Sequence, residues 1–287
     1  MRFSIITVSL NSGDDLKNTI KSILSQNFDD YEVIIKDGLS TDDSIESVRK
    51  LVEEENDTHV RMIVKKDDGI YDGMNQALVE ARGDYVCFLN SGDLFFDTQV
   101  LEKVDGRLRE IIDCEIENPA ASQADTTENN EGMPDIIYGD IFERATGTVV
   151  RSNPKIDDFA CYRNVPCHQA CFYKRELIAQ HPFELKYRVR ADYEQFLWCR
   201  FVKRAVIYYL PEIIISYEGG GLSDSDEGRR ISKAEHDEIT KMYIPTRERI
   251  CYKTAMIISL APLRTAIARN PGTAMVYNKI KGFFYRR

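Results

Sequence analysis

Tyr85-Val86-Cys87-Phe88-Leu89-Asn90-Ser91-Gly92-Asp93 carries an apolar run straight into a polar turn that ends on a carboxylate. Three earlier stretches do the same: Phe3–Leu10 runs into Asn11, Tyr31–Lys36 into Asp37, and Val60–Lys65 into Asp67 and Asp68. Between these runs, apolar residues recur at helical spacing. Leu16, Ile20, Ile23 and Leu24 form one stripe with Ser12 or Asp14 placed to cap it, Ile45, Val48, Leu51 and Val52 form a second, and Ile70 to Ala81 reads as a third helix before Gly83 returns the chain to strand. This alternation predicts an α/β fold around a parallel sheet. Ligands of such a sheet sit beyond the carboxyl ends of the strands, where side chains distant in sequence converge. Carboxylates gathered there repel one another unless a cation or a polyhydroxylated ligand joins them, which points to an enzyme that handles a nucleotide sugar.

The chain has 287 residues, 43% hydrophobic and 30% charged, enough for one sizeable core and a small appendage. Its formal net charge of -9 argues against a nucleic-acid binder, which needs a basic surface to neutralise phosphates. The charge is unevenly placed. From Pro245 to Arg287 nine basic residues face one acidic, a net +8 that leaves -17 on the rest of the chain. The seven cysteines, at 87, 114, 161, 167, 171, 199 and 251, are odd in number and scattered, which fits reduced, buried thiols in a cytoplasmic protein. Cys167-His168 with Cys171 lacks the second ligand pair of a zinc site. Phe3–Leu10 is too short and too polar for a signal peptide, and no run reaches the roughly 18 apolar residues that span a bilayer.

Residues 115–134 are polar and low in aromatics, as in a mobile surface insertion. Order is expected to resume at Asp135–Asp140, with further strands at Ala170–Tyr173 and Ala205–Leu210 flanking a helix that starts near Ala191. A glycine-rich loop follows at Gly219–Ser223, then a charged helix over about 225–243, then the basic tail. The division this suggests is a catalytic domain over 1–244 and a helical tail over 245–287. Neither G-x-G-x-x-G nor a Walker loop occurs, which weakens dehydrogenase and NTPase readings.

Thr7-Val8-Ser9-Leu10-Asn11, Asp37-Gly38-Leu39-Ser40-Thr41-Asp42, the stretch from Asp67 to Asn75 and Phe88-Leu89-Asn90-Ser91-Gly92-Asp93 resemble, in order, the successive motifs of family 2 glycosyltransferases with a GT-A fold, in the bacterial branch that builds capsule and exopolysaccharide. Cys167-His168-Gln169 and Ala191-Asp192-Tyr193-Glu194 extend the resemblance to about residue 225. It implies a Rossmann-like, mostly parallel sheet flanked by helices, and inverting transfer of a sugar from a nucleotide donor, with UDP favoured, to a hydroxyl of a glycan or lipid-linked acceptor. It implies donor-binding roles for Asn11, Asp37, Asp67, Asn75, Ser91, Gly92 and Asp93. Asp93 closes the D-x-D-like motif that places a divalent cation on the diphosphate, Asp192 matches the general base, and His168 and Glu194 fall on the acceptor side. Ser91 departs from the pattern, because it stands where the family usually has the first acidic residue of the D-x-D motif.

The chemistry asks for such groups. A departing diphosphate gathers negative charge, and Mg²⁺ or Mn²⁺ neutralises it with one or two protein carboxylates, so a single Asp93 suffices. The acceptor hydroxyl must lose its proton to a carboxylate on the opposite face. Asp192, at a helix start beside Arg188 and Arg190, is the candidate, with Glu194 its rival. Local readings compete: Asp37 as a turn cap, Asp93 and Asp192 as helix caps, Trp198 as packing, and the Gly219–Ser223 loop as a lid or a plain connection. The tail, with Ala255–Leu263 and Phe283-Phe284-Tyr285 among basic residues, suits either an anionic membrane surface or packing on the domain or a second subunit. A sugar-nucleotide nucleotidyltransferase and an inactive sugar-nucleotide-binding partner are the alternatives.

Overall fold

Seven consecutive elements realise the strand–helix alternation: β1 (Phe3–Ser9), α1 (Asp14–Leu24), β2 (Tyr31–Asp37), α2 (Ser44–Glu55), β3 (Val60–Val64), α3 (Ile70–Leu78) and β4 (Tyr85–Phe88). They belong to a computed structural model that describes residues 1–55, 58–117, 133–219 and 225–258. The chain continues with β5 (Leu94–Phe95), α4 (Val100–Glu117), β6 (Ile136–Glu143), β7 (Thr148–Val150), α5 (Asp158–Arg163), a 3₁₀ turn (His168–Ala170), β8 (Cys171–Lys174), α6 (Arg175–Ile178), α7 (Ala191–Phe201), β9 (Ile207–Tyr217), α8 (Asp226–Tyr243) and α9 (Thr246–Ile258).

One sheet runs β3-β2-β1-β4-β8-β6-β9-β5, with β7 beside β6. The first four strands are parallel, in a register that sets Phe3 against both Tyr31 and Tyr85 and Ser9 against Asp37. Beyond β4 the sheet is mixed, because β8 pairs antiparallel with β4 and β6, while β6 and β9 are parallel. The βα alternation ends at β4, and the later strands follow connections it does not describe. β9 extends the expected Ala205–Leu210 strand to Tyr217, and its register against β6 slips between Tyr138 and Asp140. Pro211, which has no N–H to give a ladder, falls in that slip, and Gly139 opposite it has no room for a Cβ, which would stand 2.6 Å from the Glu212 carbonyl oxygen.

Apolar clusters cover both faces of the sheet. Ile6, Ile34, Met74, Phe88, Tyr138, Tyr173, Phe196 and Leu197 pack on one side, and Ile5, Leu16, Ile20, Val33, Leu101 and Phe172 on the other. Each such side chain contributes about 1.5–3 kcal/mol by burial, which is why β1 and β2 are buried at every position. The expected cap of α1 is corrected: Gly13, at φ +53, is the N-cap and brings no capping side chain, its amide donating to Asp42 Oδ2 at 2.9 Å, while Asp14 and Asp15 occupy the first turn. Helix α4 runs through Glu117 into the stretch expected to be a mobile insertion, and 118–132 lie outside the described residues. The glycine-rich loop beyond Gly219 and the tail beyond Ile258 lie outside them too. Cys87, Cys161, Cys167, Cys171, Cys199 and Cys251 are all free thiols.

Candidate functional site

Beyond β4 the chain makes a tight turn, closed by the Asp93 amide donating to the Asn90 carbonyl at 3.0 Å, and this turn lifts Asp93 onto the carboxyl edge of the sheet. Thr19 of α1 holds it from below, its hydroxyl 3.0 Å from the Gly92 amide and 2.9 Å from the Asp93 carbonyl oxygen. The Ser91 hydroxyl donates to the Val8 carbonyl. Gly92 sits at φ +96, and a Cβ there would lie 2.3 Å from Oε2 of Glu218. Arg144, from the turn after β6, donates to the Gly92 carbonyl and pairs with Glu218 at 3.5 Å. The Asp93 carboxylate, 5% exposed, accepts from the Glu218 amide on Oδ1 and from Gln169 Nε2 on Oδ2. Burial raises its pKa to about 6, against the opposing pull of the Glu218 amide, His168, Arg144 and Gln169.

Because β8 runs antiparallel to β4, the residues that precede β8 stand beside those that follow β4. This brings the 3₁₀ turn to Asp93. Gln169 is oriented by Cys167, whose thiol donates to its Oε1 at 2.8 Å and so leaves Nε2 facing Asp93. The neighbouring residue, His168, places Nδ1 3.3 Å from Oδ2 of Asp192, and it is 12% exposed. Asp192 is the second residue of α7, whose N-cap is Arg190, so helix capping is not its task. Its other oxygen lies 2.9 Å from the Tyr71 hydroxyl, which is also 2.9 Å from the Val189 carbonyl oxygen. Burial pushes the Asp192 carboxyl up, but His168, Tyr71 and Arg190 outweigh it and hold the group below the usual carboxylate range. Burial and the facing carboxylate raise the Tyr71 phenol well above its ordinary value, so it remains a protonated donor.

Asp93 and Asp192 therefore approach through adjacent residues of one turn. The other expected residues are distributed differently. Asn11, at φ +51, accepts from the Thr41 amide at 2.8 Å, and Asp37 accepts from the Leu39 and Ser40 amides and from the Ser40 hydroxyl, so both side chains are committed to the turn after β2. Asp67 takes the ammonium of Lys36 at 2.6 Å and packs against Gly38 and Gly73. Asn75 spends both ends of its amide on the Phe183 backbone. Glu194 is 1% exposed and bonds to His181 Nε2 at 2.9 Å and to the Tyr243 hydroxyl. Two residues beyond Asp192 on a helix, it faces the opposite way and does not join Asp93 and Asp192. Trp198 stacks on His181 in packing, with ring centroids 4.6 Å apart.

Buried polar atoms are nearly always paired. Among the described residues four side-chain atoms are buried without a partner, and two of them, Asn90 Oδ1 and His168 Nε2, stand at this edge. They fit a ligand that brings its own donors and acceptors. A divalent cation fits as well: Asp93 supplies a hard oxygen, with the Glu218 carboxylate lying where a Cβ of Gly92 would stand, although no three His, Cys, Asp or Glu side chains among the described residues form a complete set. The remaining ligands would then be diphosphate and water oxygens. Sequence reasoning missed Tyr71, Gln169, Lys36, Arg144 and Glu218. The first two lie inside the motifs quoted above. Lys36, a charge ending an apolar strand, was the one clear local signal.

Comparison with known proteins gives the family and the fold. The family model described as "Glycosyl transferase family 2" matches residues 4–171. A "PGL/p-HBAD biosynthesis glycosyltransferase" of Mycobacterium bovis (strain BCG / Pasteur 1173P2) is 30% identical over 227 residues, 78% of this chain and 79% of that protein. A "Putative teichuronic acid biosynthesis glycosyltransferase TuaG" of Bacillus subtilis (strain 168) is 34% identical over 90 residues, 31% of this chain and 35% of that protein. Among solved structures, S. aureus TarS 1-349 in complex with UDP-GlcNAc superposes with a TM-score of 0.60 at 17% identity, over 87% of this chain and 69% of that one. The mannosyltransferase PcManGT from Pyrobaculum calidifontis, in complex with GDP-Man and Mn²⁺, gives a TM-score of 0.57 at 15% identity, over 100% of this chain and 88% of that one. These structures share the GT-A fold of the present chain.

Proposed function

The chain belongs to glycosyl transferase family 2 and is a glycosyltransferase, and on that premise we propose that it moves a sugar, with inversion, from a UDP-sugar to a hydroxyl of a glycan or lipid-linked saccharide in the making of a surface polysaccharide or glycolipid. Asp93 would hold Mg²⁺ or Mn²⁺, whose charge would supply the neutralisation that a departing diphosphate needs. Ser91 and Gly92 shape the turn that presents Asp93. Asp192, ionised and held on both oxygens, takes the proton of the attacking hydroxyl, and His168 lines the acceptor side with its unpartnered Nε2. Asn11, Asp37 and Asp67 form the wall of the nucleotide pocket through the turn after β2. The basic tail brings the enzyme to the inner face of an anionic membrane, where a lipid-linked acceptor resides. No helix among the described residues is long and apolar enough to cross one.

The observation that supports this reading is the pairing of His168 with Asp192 and of Gln169 with Asp93, two consecutive residues that bring both carboxylates against one turn. Asp192→Asn tests it. Against a panel of UDP-sugars with Mn²⁺, turnover should fall about 10²–10⁴-fold, the usual worth of a general base, while UDP affinity stays within twofold. Undiminished turnover in the variant would remove Asp192 from the chemistry.

A further inference from the structure

Asp192 owes its place to a segment with no secondary structure of its own. Residues 188–190 lead into α7, whose N-cap Arg190 has no side-chain cap bond. Three successive backbone amides of this segment converge on one carboxylate: Glu235 of α8 accepts from Arg188 N at 2.7 Å on Oε1, and from Val189 N at 3.1 Å and Arg190 N at 2.9 Å on Oε2. Glu235 is 9% exposed, so a group that ordinarily seeks water has been buried for these three bonds. The same face of α8 holds the segment at both ends. Ser232 receives Arg190 Nε at 2.8 Å, and Glu238 receives the Tyr187 hydroxyl at 3.0 Å. From the other side, Tyr71 reaches both the Val189 carbonyl and Asp192 itself.

We propose that Glu235 is the positioning residue of the general base: its carboxylate gathers the 188–190 amides, fixes the first turn of α7, and so sets where Asp192 meets the acceptor hydroxyl. The assignment rests on the glycosyltransferase reading given above. It places part of the proton-transfer machinery in α8, well beyond the stretch that the family model matches. Asp192 lies two residues past Arg190, so any shift of that amide passes into its carboxylate. Displacement of a reacting group by about 1 Å costs on the order of a hundredfold in rate. A mere helix-to-loop fastener would behave otherwise, lowering stability and leaving each folded molecule at full speed.

The test is Glu235→Gln, which keeps the shape and removes the charge that three N–H donors share. Hydrogen exchange on the ligand-free protein should show the 188–190 amides protected in the wild type although they lie outside any helix or strand, and exchanging at least about tenfold faster in the variant. With the UDP-sugar that the wild type uses, kcat should fall about 10–100-fold while the Kd for UDP with Mn²⁺ stays within twofold. Asp237→Asn, on the exposed side of the same helix and away from the 187–190 segment, should keep wild-type kcat. Unprotected amides in the wild type, an unchanged kcat in Glu235→Gln, or a loss of UDP binding in step with kcat would each overturn the assignment. A wild type that transfers from no UDP-sugar would refute the functional reading instead, and the exchange experiment would still judge the clamp.

Discussion

Removing a single oxygen atom probes the proposed base, Asp192, most sharply. Tyr71→Phe deletes the hydroxyl that stands 2.9 Å from both Asp192 Oδ1 and the Val189 carbonyl. A phenol has one proton to give. While Asp192 is ionised that proton is best given to the carboxylate, and when Asp192 has taken the acceptor's proton the hydroxyl can turn to Val189 and accept from the new acid. Both charge states of the base are thus satisfied by one rotor, with no buried group left orphaned. A hydrogen bond to a charged group contributes about 1.5–3 kcal/mol. Asp192 is 22% exposed, so part of the loss is made good by water and the lower end applies, close to a tenfold fall in kcat. The sign of the pH effect follows from the same bond. Tyr71 helps to hold the Asp192 carboxyl below its ordinary range, so its loss lets that group titrate at higher pH and moves the acid limb of kcat upward. Steady-state kinetics from pH 4.5 to 8, with UDP affinity as the control, measure both quantities. An acid limb and kcat that coincide with the wild type would show that Tyr71 does not act on the base.

Two further outcomes concern the donor side. Asp93 has its pKa raised to about 6, so its anion is complete only above that value, and the affinity for Mn²⁺ with UDP should weaken by about tenfold per unit as pH falls below 6; calorimetry giving the same affinity at pH 5 and 7 would contradict this. Gly92→Ala places a methyl group at φ +96 and 2.3 Å from Glu218 Oε2. The Glu218 side chain can swing away, leaving backbone strain of about 1–3 kcal/mol, read as a fall in Tm of several degrees together with weaker UDP binding; a variant as stable as the wild type would mean that the turn relaxes freely.

The first four strands and their helices were legible in the sequence because β1, β2 and β4 are buried on both faces, the edge strand β3 is half-buried, and each stops abruptly at polar residues, a pattern as plain at Val33–Asp37 as at Tyr85–Asp93. The mixed half of the sheet was not. Nothing local to Cys171–Lys174 says that it pairs antiparallel with β4, yet this pairing is what carries His168 and Gln169 to the site. Asp192 could be named only because the motif around it resembles a family, since by itself it reads as a helix start, whereas Asp93 was marked also by its place just past a buried strand. Glu194 shows the limit of motif reasoning: two residues from Asp192 in sequence, it is turned by helical geometry into contact with His181 and Tyr243. Asn75 was similarly opaque, for its partner Phe183 lies 108 residues away.

The ammonium of Lys36 gives its hydrogens to the carbonyls of Asp37 and Lys65 and to the carboxylate of Asp67, all within the end of the parallel sheet. A side chain so engaged has no donor left for an incoming molecule, but its field persists through an interior that screens poorly. One negative charge of the rim is therefore cancelled from within, by a counterion that cannot diffuse away. This edge of the sheet is thus less acidic than its carboxylates suggest, and this relief does not fade as salt is diluted or withdrawn.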